Sequence, residues 1–241
     1  VTIKTEEKLI LALDVSDYKE ALDIVDNFQD AIKIYKVGLE LFTSQGPKII
    51  KELTQRGKQV FLDLKFHDIP NTVSRAAVTA VRHGITMFTI HTSGGEQMLR
   101  ACAESVVSVC LKENIPRPKL LGVTVLTSID QNILRDELGS AMSLSALVRA
   151  LARMAFRSGL DGVVASAQEI VMIREHLGDK FLIVTPGIRP SWSPPNDQKR
   201  TMTPKQALRA GADYIVMGRS IIKQPHQLNA MERIFHEISS V

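Results

Sequence analysis

The sequence predicts an α/β fold of one domain, residues 1–241, in which eight parallel strands close into a (β/α)8 TIM barrel. Three observations predict it. Short apolar, β-branched runs recur eight times, and longer stretches of helical pattern separate them. Glycine closes several of those stretches just before the next run, at Gly57, Gly84, Gly159 and Gly211, which is a helix stop signal. The length of 241 residues with 44% hydrophobic content suits one barrel, a fold that typically takes about 250 residues. An open doubly wound sheet is the alternative. No Gly-x-Gly-x-x-Gly follows the first run, which counts against a dinucleotide site there.

The strands are expected at Leu9–Asp14, Ile32–Val37, Val60–Lys65, Met87–His91, Leu120–Leu126, Gly162–Ser166, Phe181–Thr185 and Tyr214–Met217. Helices are expected at Tyr18–Asn27, Gly46–Gln55, Thr72–His83 and Gly95–Lys112, then Leu144–Ser158, Ala167–His176 and Thr203–Ala210, with a last helix after strand eight. Cys102 and Cys110 lie eight residues apart in one of these helices. At 1.5 Å per residue their Cα atoms stand roughly 12 Å apart, too far for a disulfide. Two buried thiols suit a reducing compartment, and no apolar leader or membrane-length run appears, so a cytoplasmic location is expected. The net charge of +4 is spread out, and aromatics make up only 5% of the chain. That balance favours a small anionic ligand over nucleic acid or a membrane.

In a barrel the chemistry gathers where the strands end. Those ends carry Asp14, Lys36, Asp63 with Lys65, His91, Thr127, Ser166, Pro186 with Arg189, and Gly218 with Arg219, whereas the strand bodies are almost wholly apolar. The densest cluster is Asp63-Leu64-Lys65-Phe66-His67-Asp68. A side-chain period of two sets Asp63 and Lys65 on one side of the strand, with Asp68 just past it. Concentrating charge beside a buried strand is costly, so a site that uses the charge is preferred over a salt-bridged strand end. His91 reads as a hydrogen-bonded structural histidine.

The loops after strands seven and eight form the phosphate end of many barrels. Gly187 and Gly218 would let backbone amides approach an anion there, and Arg189 and Arg219 would grip it. The polar, Pro-rich stretch after Arg189, to about residue 203, reads as a lid that closes over bound phosphate. Trp192 would either cover the ligand or anchor the loop.

Several of these motifs, in this order, resemble the orotidine 5′-monophosphate decarboxylase family in its bacterial branch. They are Leu11-Ala12-Leu13-Asp14-Val15, Lys36-Val37-Gly38, Asp63-x-Lys65-x-x-Asp68, Val125-Leu126-Thr127-Ser128, Thr185-Pro186-Gly187-Ile188-Arg189, Asp197-Gln198 and Met217-Gly218-Arg219. The likeness spans residues 9–222. It implies a cofactor-free, metal-free enzyme that releases CO2 from orotidine 5′-monophosphate to make uridine 5′-monophosphate, the last step of pyrimidine synthesis. It implies that Lys36, Asp63, Lys65 and Asp68 form an alternating charge network, with Asp68 entering from the second subunit of a homodimer. Asp14 and Lys36 would hold ribose hydroxyls, joined by Thr72 across the interface. Thr127 would bond the pyrimidine, Gln198 would bridge base and phosphate, and Arg189, Gly218 and Arg219 would hold the phosphate. The stretch Ser191-Trp192-Ser193-Pro194-Pro195 departs from the small, Gly-containing lid of the family, which puts the lid's motion in question.

Two other functions compete. An Mg²⁺-dependent sugar-phosphate decarboxylase or aldolase of the same superfamily would carry an acidic ligand at the end of strand two, where this chain has Lys36, with Glu40 four residues later. A catalytically silent nucleotide-phosphate binder would have no use for the intact Asp63, Lys65 and Asp68 set.

Overall fold

The structure, a computed structural model, describes residues 5–193 and 202–239. Eight parallel strands close into a barrel in sequence order: β1 (Leu9–Ala12), β2 (Ile34–Gly38), β3 (Gln59–Phe66), β4 (Met87–His91), β5 (Lys119–Val123), β6 (Gly162–Val164), β7 (Leu182–Thr185) and β8 (Tyr214–Met217). The ring closes where β8 pairs with β1, Ile215 beside Leu9 and Met217 beside Leu11. The expected fold is the observed one.

Side chains alternate along each strand, and the alternation divides the core in two. Ile10, Ile34, Phe61, Met87, Leu121 and Tyr214 point inward and fill the barrel's lower interior. The neighbouring residues Leu11, Tyr35, Leu62, Phe88, Leu120 and Ile215 point outward and pack against the helices. Both sets are almost fully buried. The interior is therefore a packed apolar plug, and a ligand can enter only from one end.

The helices are α1 (Tyr18–Phe28), α2 (Leu39–Gln45), α3 (Lys48–Gln55), α4 (Pro70–Arg82), α5 (Gly95–Glu113), α6 (Leu144–Arg157), α7 (Ile170–Leu177), α8 (Pro204–Arg209), α9 (Arg219–Ile222) and α10 (Gln227–Ile238). The helix expected over Gly46–Gln55 is α3, and an unexpected short helix, α2, precedes it. Gly46 at φ +60° and Pro47 end α2 and start α3 afresh. Three strands stop short of expectation, β1 at Ala12, β5 at Val123 and β6 at Val164. After Ala12 one more bond forms, from the Leu13 amide to the Lys36 carbonyl. The chain then turns toward α1, whose N-cap Asp17 accepts from the Glu20 amide at 2.8 Å. Pro70 opens α4, where its missing N–H costs nothing.

Cys102 and Cys110 lie buried in α5 as free thiols, as expected, and burial pushes the Cys102 thiol up to about 12. Among the described residues no helix is long and apolar enough to cross a membrane.

Candidate active site

One step of two residues beyond the apolar plug, the inward positions change character. Ala12 is followed by Asp14, Ile34 by Lys36, Phe61 by Asp63 and Met87 by Thr89. The same step on the other strands leads from Leu121 to Val123, from Val184 to Pro186 and from Val216 to Gly218. The charges thus occupy neighbouring strands because β1, β2 and β3 pair in register, Ala12 beside Lys36 and Gly38 beside Asp63.

The four charges form a chain. The Lys36 ammonium donates to Asp14 Oδ1 at 3.0 Å and stands 3.8 Å from Asp63 Oδ2. The Lys65 ammonium lies 3.0 Å from that same Asp63 oxygen. Asp63 therefore sits between two ammonium groups. The Lys36 and Asp63 side chains are only 12% and 13% exposed, against 44% for Asp14, so screening weakens toward the centre of the chain. At 3.0 Å and an effective dielectric of about 20, the Lys65–Asp63 attraction is about 5 kcal/mol before desolvation is subtracted. Gly38 leaves room for the Lys36 ammonium: a Cβ there would stand 2.8 Å from Lys36 Nζ and push it from its present position.

Lys65 reaches Asp63 by an unusual path. Between Leu62 and Phe66 the pairing with β4 is irregular, so that Leu62 faces Phe88 but Phe66 faces Ile90. Four steps along β3 oppose two along β4, which is a bulge. Within it Lys65 takes φ +53°, a left-handed conformation that side-chain-bearing residues adopt at a cost. The period-two expectation named the correct neighbours and missed the bulge. Thr89, 1% exposed and absent from the sequence-derived candidates, spans this irregularity. Its Oγ1 accepts from the Lys65 amide at 2.9 Å and donates to Asp63 Oδ1 at 3.0 Å. A threonine inside a strand is commonplace, and the one available signal was its position two residues past Met87 on the inward face.

Lys36, Asp63 and Lys65 form one wall of a cavity of about 600 Å³, mouth included. Phe61 contributes to its apolar lining, and the opposite wall consists of Val125, Leu126, Thr127, Ala165, Pro186 and Val216. Gly187, at φ +75°, directs the chain from Pro186 into the loop after β7, where the Arg189 amide bonds the Met202 carbonyl at 3.0 Å. Arg189 is buried, its guanidinium donating to the Ile188 carbonyl at 3.0 Å, and Arg219 opens α9 half-buried. Neither arginine lines the cavity. Gly218 packs against the charged wall, because a Cβ there would lie 3.2 Å from Asp14 Oδ2. Trp192 lies under the Arg233 guanidinium of α10, 4.3 Å from the ring centre, which favours the anchoring role over the covering one. Gln198 and the lid's middle lie outside the described residues.

Two expected residues stand apart from the cavity within this chain. Asp68 is exposed, and its carboxylate accepts from the Ile69 amide at 2.6 Å. Thr72 is exposed in the first turn of α4. His91 departs from the hydrogen-bonded expectation: its Nδ1 is buried with no hydrogen-bond partner among the described residues. Its ring instead tilts against that of His67, centres 5.3 Å apart. Burial holds His91 below the usual histidine value, aided by His67 and Lys65 and opposed by Asp63. Among the described residues no group of three or more His, Cys, Asp or Glu is placed to hold a metal ion.

Comparison with known proteins gives a consistent set of matches. Residues 7–234 match the family described as the Orotidine 5′-phosphate decarboxylase / HUMPS family. The orotidine 5′-phosphate decarboxylase of Carboxydothermus hydrogenoformans is 48% identical over 235 residues, covering 98% of this chain and 97% of that protein. The enzyme of the same name from Moorella thermoacetica is 45% identical over 241 residues, covering 100% and 96%. The crystal structure of orotidine 5′-phosphate decarboxylase from Lactobacillus acidophilus superposes with a TM-score of 0.85 at 39% identity, covering 96% of this chain and 99% of that one.

Proposed function

The chain belongs to the orotidine 5′-phosphate decarboxylase / HUMPS family, and from that premise we propose that it converts orotidine 5′-monophosphate to uridine 5′-monophosphate and CO2 in pyrimidine biosynthesis, without metal or cofactor. The observation that carries the reading is the position of Asp63, a carboxylate shared by two lysines on one wall of an otherwise apolar cavity.

The reaction explains why such an arrangement is needed. The bond from C6 of the pyrimidine to its carboxylate breaks, CO2 leaves, and the electron pair remains on C6, where the ring delocalises it poorly. The Lys65 ammonium stabilises that carbanion and then transfers a proton to it, leaving a neutral amine that regains its proton from solvent. Asp63 keeps the ammonium in place and presents negative charge to the departing carboxylate. Only the part of these interactions that differs between ground state and transition state accelerates the reaction. The apolar wall opposite keeps the local dielectric low, which strengthens each of them.

Binding is assigned to the groups around Lys65 and Asp63. Asp14 and Lys36, already joined at 3.0 Å, hold the ribose hydroxyls, and Thr127 bonds the base. The loop after β7, from Pro186 to Arg189, and the turn Gly218-Arg219 after β8 receive the phosphate, and the family resemblance assigns Gln198 the bridge between base and phosphate. Two features favour a homodimer in which Asp68 and Thr72 complete the other subunit's site. Both are exposed at the start of α4, and Asp68 makes no salt bridge within its own chain among the described residues.

The test is the loss of orotidine 5′-monophosphate absorbance with purified, chelator-treated protein. Turnover that EDTA leaves unchanged is expected. Loss of activity on chelation with rescue by Mg²⁺ would replace this reading with the metal-dependent one, and tight nucleotide binding with no turnover would replace it with a binder.

A further inference from the structure

Thr89 links both ends of one residue. The main-chain amide of Lys65 donates to Thr89 Oγ1, the Thr89 hydroxyl donates to Asp63 Oδ1, and the other oxygen of Asp63 holds the Lys65 ammonium. The circuit closes on Lys65 itself. Each hydrogen bond has one direction only: a hydroxyl has one proton to donate, and a carboxylate and an amide fix which way it points. Thr89 is buried, so no water replaces the hydroxyl without a cavity being opened for it.

We propose that Thr89 is a positioning residue for decarboxylation: its hydroxyl clamps the bulged, left-handed backbone of Lys65 and orients Asp63, so that the ammonium is held at the cavity wall. The inference rests on the proposed function, and it adds a residue that does not line the cavity. The physical need is specific. Lys65 sits within the register shift between Leu62 and Phe66 at φ +53°, a conformation that a side-chain-bearing residue holds only at a cost its surroundings must offset. The bulge leaves the Lys65 amide without a ladder partner, and Thr89 Oγ1 supplies one. The methyl group of Thr89 cannot perform either task, which separates clamping from filling space.

The experiment compares Thr89→Val, nearly the same shape without the hydroxyl, with Thr89→Ser, which keeps the hydroxyl and loses the methyl. Thr89→Ala serves as a second hydroxyl-free variant should the valine protein fold poorly. Loss of two hydrogen bonds that act on the reacting lysine should lower kcat by about 30-fold in the hydroxyl-free variants. KM should stay within about twofold, because the substrate-binding groups are untouched. Thr89→Ser should stay within about threefold of wild type in kcat. Deuterium exchange of the peptide carrying the Lys65 amide should quicken in the hydroxyl-free variants and remain protected in Thr89→Ser. Retained kcat and protection without the hydroxyl would overturn the proposal, and so would a serine variant as impaired as the valine one. The exchange measurement needs no turnover. If the wild-type protein did not decarboxylate at all, the functional reading would fall, while exchange would still decide whether the clamp exists.

Discussion

The two halves of the barrel mouth are built from different material. Strands β1 to β4 bring Asp14, Lys36, Asp63, Lys65 and Thr89 to the rim, all joined by contacts of 3.8 Å or less. Strands β5 to β8 and the turns beyond them line the same cavity with Val123, Val125, Leu126, Val164, Ala165 and Val216, together with Thr127 and Pro186. Beyond that second wall, outside the cavity, stand Arg189 and Arg219. The difference divides the labour. One wall holds charge in a fixed geometry where bonds break, and the other excludes water and leads to the groups that recognise an anion.

Breaking the charged half should give the largest effect, and Asp68, a further charge proposed for it, would come from a second subunit. Lys65→Ala and Asp68→Ala homodimers should each lose about 10³-fold or more in turnover. Mixed under conditions that exchange subunits, they should recover to about a quarter of wild type, since about half the dimers become hybrids with one intact site in two. Verified exchange without recovery would return Asp68 to its own chain.

The opposite half should respond in affinity. Arg219→Ala removes one charge-assisted contact, worth about 1.5–3 kcal/mol, and should weaken nucleotide binding by about 10–150-fold. The phosphate-free nucleoside should bind as before, which titration calorimetry would check. Equal losses for both ligands would make Arg219 a support of the fold.

A smaller effect sharpens the boundary of the charged half. His91 stands beside it as a histidine held below its usual value of 6.5, mainly by burial. The unfolded chain then binds the proton more readily, so this group's contribution to stability is present above about pH 6.5 and is lost as pH falls from there through the lower folded value. Replacing it by Phe should flatten the decline in melting temperature below pH 6.5. An unchanged acid limb would mean that His91 binds its proton equally well in the folded and unfolded chain.

How much of this was legible in the sequence depends on whether the signal was local. Every strand could be read, because an inward Ile34 and an outward Tyr35 are both apolar and a two-sided buried strand is a continuous run. Strand ends could not be read to the residue: Leu13 and Val125 are as apolar as the strands they follow, but the strands end at Ala12 and Val123. The short helix α2 was missed because it starts directly after β2 without a side-chain cap. In the site, Asp63, Lys65 and Lys36 announced themselves as charges in apolar surroundings. Thr89 did not, since its task depends on a bulge created by the pairing of β3 with β4. Asp68 was legible as a charge, but its assignment came from family resemblance, and a single chain leaves it exposed.

The assignment of bond breaking to Lys65 on the charged wall is tested most directly by one pair of numbers on Lys65→Ala: turnover of orotidine 5′-monophosphate and the Kd for uridine 5′-monophosphate, both beside wild type. Turnover should fall by about 10³-fold or more while product affinity moves by less than about tenfold. A folded Lys65→Ala protein that still decarboxylates within about tenfold of wild type would contradict that assignment.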